Sequence, residues 1–323
     1  MREISFTEGV REALAEEMLR DSRVILLGED IGCYGGAFGI TRGLLERFGP
    51  ERVINTPISE PSVVGAAIGA ALAGSRPVVE IMFMDFLTLC MDQLVNQAAK
   101  LRYVFGPQAR CPIVVRTVAG GGRSYGPTHS QTLDAWFMHV PGLKVVAPSS
   151  PADARGLLKT AIRDDNPVLF IEHKLLYGQR QSIPDDDVLV PFGRLRCVTE
   201  GNAVSIITYS WMVVEAMRAA AQLREDGIHA EILDLRTLNP LDMEGIVASV
   251  RKTRKVVLVE EGCRTGGVCA EIGFQIFEHA YDYLDAPIKR VTTPDIPIPS
   301  SRTLERAAIP NSQTIVAAVR ELL

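Results

Sequence analysis

Residues 55–74 read NTPISEPSVVGAAIGAALAG, and this stretch predicts the end of a strand followed directly by a helix. Pro61 is a natural first residue of that helix, because proline already has the required φ and its missing N–H would be unpaired there anyway. Gly65 and Gly69 recur at four-residue spacing among alanines. A glycine costs a helix interior about 1 kcal/mol relative to alanine, so this face must need a bare backbone for close packing.

Short apolar runs alternate with helical patterns on both sides of this stretch. Residues 24–28 and 78–83 predict buried strands, and residues 4–20 and 86–103 predict helices. Alternation of this kind is typical of parallel sheets whose two faces are covered by helices. The sequence therefore predicts an α/β fold with mostly parallel sheets.

A polar, proline-containing stretch separates two copies of this alternating pattern. We predict a first domain over residues 1–180, a linker over residues 181–195 and a second domain over residues 196–323. The total of 323 residues agrees with two domains of about 150 residues each.

Composition and charge exclude several classes of protein. The chain has 34 basic and 39 acidic residues and a net charge of −5, without a basic run that carries aromatics, so we expect no nucleic-acid partner. We find no signal-peptide, transit-peptide or membrane-spanning pattern and expect a soluble, cytoplasmic protein. The six cysteines are scattered without ligand spacing, which predicts reduced thiols.

Several familiar catalytic motifs are missing from the sequence. No GxGxxG follows a strand, and neither GxxxxGK[ST] nor HExxH occurs. Residues 122–126, GRSYG, match the GxSxG of serine hydrolases, but Pro127 interrupts the strand-turn-helix geometry that this motif needs. A hydrolase with Ser124 as nucleophile remains a minor alternative.

Two residues are candidates for catalysis on their positions alone. His129 closes a glycine-rich loop at a strand end, where α/β folds place reactive groups, although a structural histidine is an equal alternative. Glu60 precedes Pro61 at a helix N-terminus, where a capping role would suffice. Its neighbours Ile58 and Val63 are apolar, however, and burial would favour the neutral carboxyl, which can share a proton.

The motifs together resemble those of one enzyme family. They are LLGEDIGCYGGAFGITRGL (26–44), the stretch 55–74 quoted above, EIMFMDF (80–86), MDQLVNQAAKLRY (91–103), THSQTLDAWFMHVPGLKVVAPSSPADARGLLKTAIRDDNP (128–167) and LDLRTLNPLD (233–242). In this order they resemble the β subunit of the thiamine-diphosphate-dependent 2-oxoacid dehydrogenases, in the transketolase superfamily. The resemblance covers residues 6 to 310. It implies a pyrimidine-binding domain of the thiamine-diphosphate fold followed by an α/β domain like the transketolase C-terminal domain.

The resemblance implies roles for five residues in binding thiamine diphosphate and in catalysis. Glu60 would share a proton with ring nitrogen N1′ of the cofactor, Phe86 would stack on its pyrimidine and Ile58 would line the same pocket. Glu29 matches an acidic position near the cofactor, with a role in linking paired active sites. His129 would donate a proton during acyl transfer to lipoamide or would orient the substrate.

A monovalent-cation site is also implied by the resemblance. Its K⁺ ligands would be the carbonyls or side chains of Ile113, Ala161, Ile162, Asp164 and Asn166. The alternative is an ordinary helix C-terminus, in which Asp164 and Asn166 turn the chain.

The resemblance further implies that this chain is one part of an assembly. An α subunit would hold Mg²⁺ and the diphosphate in an α2β2 heterotetramer, whose crossing helices would explain Gly65 and Gly69. A lipoyl-bearing acyltransferase would dock on the C-terminal domain. The substrate would be pyruvate or a branched-chain 2-oxoacid; the alternatives are an acetoin dehydrogenase β subunit and, more distantly, a non-catalytic assembly subunit.

Overall fold

The computed structural model describes residues 1–184 and 186–323, which divide into two compact units. The first unit comprises Met1–Ala119 and Trp136–Phe192, and the second comprises Gly120–Ala135 and Gly193–Leu323. No helix in the described part of the chain is long and apolar enough to cross a membrane. All six cysteines are free thiols, as the scattered spacing predicts.

Up to Ile183, strands and helices alternate along the chain. They are β1 Arg2–Ser5, α1 Phe6–Arg20, β2 Val24–Glu29, α2 Leu44–Phe48, β3 Val53–Thr56, α3 Glu60–Leu72, β4 Arg76–Ile81, a 3₁₀ helix Met84–Cys90, a π-helix Asp92–Ala98, α4 Leu101–Phe105, β5 Val114–Ala119, α5 Asp134–Met138, β6 Lys144–Val146, α6 Pro151–Arg163, β7 Val168–His173 and β8 Arg180–Ile183.

After Ile183 the alternation continues to the end of the chain. The elements are β9 Arg196–Thr199, β10 Val204–Thr208, α7 Trp211–Glu225, β11 Ala230–Asp234, β12 Thr237–Asn239, α8 Met243–Thr253, β13 Val256–Cys263, α9 Val268–Ala280, a 3₁₀ turn Tyr281–Tyr283, β14 Lys289–Thr293, α10 Arg302–Ala308 and α11 Ser312–Arg320.

The first unit is built on six parallel strands in the order β6-β7-β5-β4-β2-β3. Leu26 of β2 lies between Val53 of β3 and Val78 of β4 in the register. Because the strands are parallel, the carboxyl ends of β2, β3 and β4 lie at one edge of the sheet, where α/β folds bind ligands. The parallel α/β architecture predicted from the alternation is confirmed.

Helix starts follow the local sequence closely. Ser5 caps α1 by accepting from the Glu8 N–H, while the Glu8 side chain accepts from the Ser5 N–H. Ser150 caps α6 by accepting from the Asp153 N–H. Both caps match hydrogen-bonding residues that the sequence places at these helix starts.

Residues 86–103 do not form the single helix that their apolar spacing predicts. A 3₁₀ helix, a π-helix and the short α4 follow one another instead. The 3₁₀ helix is wound more tightly than an α-helix and the π-helix more loosely, so their side chains point in other directions than in one regular helix. An apolar pattern with period 3.6 does not reveal this difference.

The first residues of the predicted linker belong to a strand. Residues 180–183 form β8, which pairs antiparallel with β1. The two units divide at Phe192 and Gly193, and the second unit includes the glycine-rich loop of residues 120–135. Polar composition marks an exposed segment, but it does not distinguish a linker from an edge strand. Asp185, within the predicted linker, lies outside the described residues.

The second unit contains a five-stranded sheet in the order β14-β13-β10-β11-β9. Only the edge strand β9 runs antiparallel to its neighbour. Ile206 and Val257 lie in the core against α7 and α11. The local sequence patterns do not predict β9, α10 or α11.

Candidate active site

A cleft in the first unit lies at the carboxyl ends of the parallel strands. Its lining includes Glu29, Thr56, Glu60, Glu80 and Phe86. Glu29 ends β2 and Thr56 ends β3, whereas Glu60 is the first residue of α3. The strand ends therefore bring together three predicted residues, namely Glu29, Glu60 and Phe86.

Glu29 and Glu60 are two acidic groups without a cationic partner. Both side chains are half-buried, and neither makes a hydrogen bond or ion pair with any other residue that the structure describes. Burial raises the pKa of Glu29, and the charges of Asp30 and Glu60 raise it further. The cleft thus presents two carboxylates that are available to a ligand.

An aromatic wall and an unpaired hydroxyl complete the cleft. The Phe86 ring packs edge-to-face against Phe83, with ring centroids 6.1 Å apart. The Thr56 hydroxyl oxygen is buried and has no hydrogen-bond partner among the described residues. Buried polar atoms are rarely left unpaired, so this hydroxyl points to a missing polar ligand.

One feature of this region differs from expectation. Ile58 is 74% exposed and is not among the residues that line the cleft. The sequence predicts burial of Glu60 among apolar neighbours; its side chain is half-buried, and Val63, Ile81 and Phe86 line the cleft with it.

A buried ionic network lies behind the cleft. Arg116 donates to Glu80 at 2.8 Å and pairs with Glu172 at 2.6 Å, and the Tyr177 hydroxyl donates to Glu172 at 2.9 Å. All four side chains are buried. Gly36, with φ +79°, lies so close to Glu80 that an added Cβ would come within 2.8 Å of a carboxylate oxygen. The network fixes Glu80 in the cleft wall, and sequence spacing gave no sign of it.

His129 lies in the second unit, on the loop between β5 and α5. Its side chain is half-buried, its Nδ1 lies 3.1 Å from the Thr128 hydroxyl, and its N–H bonds weakly to the Gly126 carbonyl. Earlier in this loop, the N–H groups of Gly122 and Ser124 donate to the Glu305 carboxylate at 2.8 and 3.0 Å.

The hydrolase alternative loses its geometric basis in this loop. The Ser124 hydroxyl donates to Glu305 at 3.3 Å and to no histidine in the described part of the chain. Residues 122–126 are not followed by a helix, since the next helix begins at Asp134. The strand-turn-helix of a nucleophile elbow is therefore not formed.

The oxygens proposed for K⁺ all lie in the first unit and already accept hydrogen bonds. Arg76 donates to the carbonyls of Ile162 and Asp164, and Arg102 donates to the Asn166 side chain at 2.8 Å. The remaining two carbonyls, those of Ile113 and Ala161, accept from backbone N–H groups. A cation at these oxygens would have to use their second lone pairs, close to the Arg76 guanidinium.

Sequence reasoning missed a buried acidic group in the second unit. Burial raises the pKa of Asp134 to about 7, and the charges of Glu260 and Glu261 add to the effect. Glu260 itself accepts from the N–H groups of Val268 and Cys269 at the start of α9. The pair Glu260-Glu261 at the end of an apolar strand was the available sequence signal.

Two family models match successive parts of the chain. The model of the transketolase pyrimidine-binding domain matches residues 2–180, and that of the transketolase C-terminal domain matches residues 193–315. A solved structure, described as a split-gene transketolase in an inactive β4 tetramer, has a TM-score of 0.83 at 24% identity. The match covers 99% of this chain and 98% of that one. At this identity the likeness shows the fold alone.

Curated relatives are similar over their whole length. The pyruvate dehydrogenase E1 component subunit beta of Rickettsia felis is 46% identical over 320 residues, which cover 99% of this chain and 98% of the relative. The 2-oxoisovalerate dehydrogenase subunit beta of Bacillus subtilis is 46% identical over 324 residues, covering 100% and 99%. The acetoin:2,6-dichlorophenolindophenol oxidoreductase subunit beta of Cupriavidus necator is 46% identical over 332 residues, covering 100% and 98%.

Proposed function

The chain belongs to the transketolase-like family of 2-oxoacid and acetoin dehydrogenase β subunits, and we propose that it is the β half of a decarboxylating 2-oxoacid dehydrogenase. The observation that carries this proposal is the cleft in which Glu29, Glu60 and Phe86 meet at the carboxyl ends of parallel strands. The reaction is oxidative decarboxylation of a 2-oxoacid, with transfer of the acyl group to lipoamide.

The side chains that line the cleft suit the flat, nitrogen-containing ring of thiamine diphosphate in their chemistry. Phe86 offers an aromatic face, Glu60 offers an unpaired carboxylate, and the buried Thr56 hydroxyl needs a polar partner. When bound, thiamine diphosphate supplies the carbon nucleophile and the electron sink that allow carbon dioxide to leave. Ile58 would border the same ring from the exposed loop before α3.

Glu60 would hold the proton that decides the tautomer of the pyrimidine ring. Its carboxyl would share this proton with ring nitrogen N1′, a task that needs a carboxyl without a competing cation. Glu29, whose pKa is raised by burial and by nearby acids, would keep a proton more readily than an ordinary glutamate. We assign to Glu29 a supporting role near the cofactor and in the link between paired active sites.

His129 would act at the acyl-transfer stage. The disulfide of the lipoyl group breaks as one sulfur takes the acyl group, and the other sulfur leaves as a thiolate that needs a proton. A histidine suits this donation near neutral pH, because its ordinary pKa is about 6.5. The alternative role, orientation of the substrate, uses the same position on the loop.

A partner α subunit completes the enzyme. We assign Mg²⁺ and the diphosphate to that subunit, within an α2β2 heterotetramer. Among the described residues, one cluster has metal-ligating side chains, Cys197, Glu200 and Glu231, and the Lys252 ammonium already pairs with both of its carboxylates. We also propose that a lipoyl-bearing acyltransferase docks on the C-terminal unit.

The K⁺ site remains a separate part of the proposal. K⁺ at the oxygens of Ile113, Ala161, Ile162, Asp164 and Asn166 would tie the end of α6 to the neighbouring strands. A higher unfolding temperature in KCl than in NaCl of equal ionic strength would support it. Equal unfolding temperatures would leave these oxygens as an ordinary helix C-terminus.

The decisive experiment is a substrate panel on the assembled enzyme. The chain is mixed with its α partner, thiamine diphosphate and Mg²⁺, and reduction of an artificial electron acceptor is followed with pyruvate, branched-chain 2-oxoacids and acetoin. Turnover of a 2-oxoacid is expected. Turnover of acetoin alone would instead establish the acetoin dehydrogenase alternative, which the Cupriavidus necator relative motivates. Cofactor binding without turnover of any of these substrates would establish an assembly subunit.

A further inference from the structure

The loop that carries His129 has a strained backbone and therefore needs a support. Ser124 has φ +59°, which is unusual for a residue with a side chain, and Gly122 has φ +89°. A residue with a side chain is strained in this region and keeps the conformation only when the surrounding structure holds it there. Left-handed residues placed close together also turn successive N–H groups toward one side, which forms an anion-binding concavity.

A carboxylate of the same unit fills this concavity. Glu305, on α10, is only 1% exposed and accepts from the Gly122 N–H, the Ser124 N–H and the Ser124 hydroxyl. It pairs with no lysine or arginine in the described part of the chain. Glu261 adds one bond, from the Gly121 N–H at 2.6 Å. The loop therefore supplies hydrogen-bond donors to the buried Glu305 side chain, and Glu305 supplies the acceptor that these N–H groups need.

The loop lies directly on the segment that carries Glu305. A Cβ added at Gly121 would come within 2.5 Å of the Ile309 side chain, and one added at Gly126 would come within 3.3 Å of Ser300. Gly121 and Gly126, at the two ends of this part of the loop, thus both pack against residues 300–309. The chain then continues from Gly126 to His129, whose N–H bonds back to the Gly126 carbonyl.

We propose that Glu305 is a positioning residue that fixes the location of His129 through the loop backbone. This inference rests on the role proposed for His129. Glu305 does not touch the reacting atoms in this scheme. Its carboxylate holds the loop in one conformation, and a displacement of about 1 Å in a catalytic group can lower a rate by about 100-fold.

The test compares Glu305→Gln with His129→Asn, alone and together, in the assembled enzyme with lipoamide as acceptor. The amide has the size of the carboxyl but turns a donor toward N–H groups that need an acceptor. A fall in kcat of at least about tenfold is expected for Glu305→Gln. In the His129→Asn background the same change should add less than about twofold, because the group that it positions is already gone.

Two controls keep the outcome interpretable. Glu244→Gln changes an exposed glutamate of the same unit and should leave kcat unchanged. Glu305→Asp keeps the charge, should recover part of the rate, and carries the test if the amide variant does not fold in a thermal unfolding measurement.

Failure of each assignment gives a different result. If Glu305→Gln keeps kcat within about twofold while His129→Asn loses it, the positioning role is overturned and the role of His129 stands. The positioning role is also overturned if the two decreases in kcat multiply in the double variant, since independent sites behave in that way. If His129→Asn keeps full activity, the proposed role of His129 itself is wrong, and the positioning assignment fails with it.

Discussion

The carboxylates of Glu29 and Glu60 line one cleft at the carboxyl ends of two neighbouring parallel strands, and the charge of Glu60 helps to raise the pKa of Glu29. Burial is the largest cause of the raised pKa of Glu29, the charge of Asp30 is the second and the charge of Glu60 is the third. The charge of Glu60 therefore alters proton binding at Glu29. A ligand that shares a proton with Glu60 would also change how readily Glu29 is ionised.

Replacement of Glu60 by glutamine should abolish most of the activity and leave the cofactor in place. The amide keeps the shape of the carboxyl but cannot exchange a proton, and loss of one general acid or base typically costs about 10²- to 10⁴-fold. We expect kcat for pyruvate-dependent acceptor reduction to fall in this range, while the Kd for thiamine diphosphate changes by less than about tenfold. Glu51→Gln, at an exposed position before β3, is the matched control. Retention of more than a tenth of kcat would remove Glu60 from its role.

Substitution at Gly69 should separate folding of the chain from its assembly. Nothing lies within 4 Å of a Cβ added at this position, and the residue is exposed on α3. Gly69→Ala should therefore stabilise the isolated chain, by about 0.5–1 kcal/mol from helix propensity. Gly69→Leu should fold equally well but reduce heterotetramer formation, which size-exclusion chromatography with the α subunit measures.

The matched control for this prediction is Gly74, which follows α3 and has open space around it. Its φ of +102° favours glycine, so Gly74→Ala should lower the stability of the chain without a specific effect on assembly. A Gly69→Leu chain that assembles like the wild type would show that the bare helix face is not an interface.

The alternation of apolar runs and helices was enough to predict parallel α/β units, because both faces of such sheets are buried and each strand reads as a continuous apolar run. The grouping of Glu29, Glu60 and Phe86 near one ligand was implied by the family resemblance of their motifs, and the structure places all three in one cleft. The division of residues 86–103 into three helical pieces could not be predicted from the sequence, since a π-helix keeps the apolar composition of an α-helix.

The supports of both candidate sites were hidden from the sequence for a different reason. Glu80 and Arg116 lie in strands that look like any buried strand, and their pairing depends on the lateral order of those strands. Glu305 lies about 180 residues from the loop that it holds, and a short helix near the end of the chain gives no signal of such a contact. Long-range ionic contacts follow from topology and not from local pattern.

Loss of Arg116 should destabilise the first unit strongly. Arg116→Met leaves Glu80 and Glu172 buried without their cation, and removal of one member of a buried ion pair typically costs about 3–5 kcal/mol. Burial already raises the pKa of Glu172. A raised carboxyl pKa means that the folded chain binds its proton more tightly, so the stability of Arg116→Met should increase as the pH falls toward 5.

Urea unfolding at pH 5.5 and pH 8 measures both expectations for Arg116. The control is Arg254→Met, which removes an exposed pair with Asp285 and should lower stability far less, because exposed ion pairs contribute little. Adding Glu80→Gln and Glu172→Gln to Arg116→Met should restore much of the loss, because the uncompensated charges disappear. A cost for Arg116→Met no larger than that of Arg254→Met would contradict the network's structural role.

Substitution of Asp134 should change how the stability of the chain depends on pH. Its pKa is raised from the ordinary 3.8 to about 7, so the folded chain keeps a proton that the unfolded chain releases. This contribution is fully present below about pH 4 and is lost as the pH rises through 7. It amounts to an energy on the order of 4 kcal/mol.

Asp134→Asn, which is always neutral, should match the wild type near pH 4 and exceed it in stability at pH 8. Urea unfolding across this range tests the difference, with the exposed Asp282→Asn as a variant that should follow the wild-type curve. Parallel curves for Asp134→Asn and the wild type would show that Asp134 is ionised in the folded chain, which its burial beside Glu260 and Glu261 argues against.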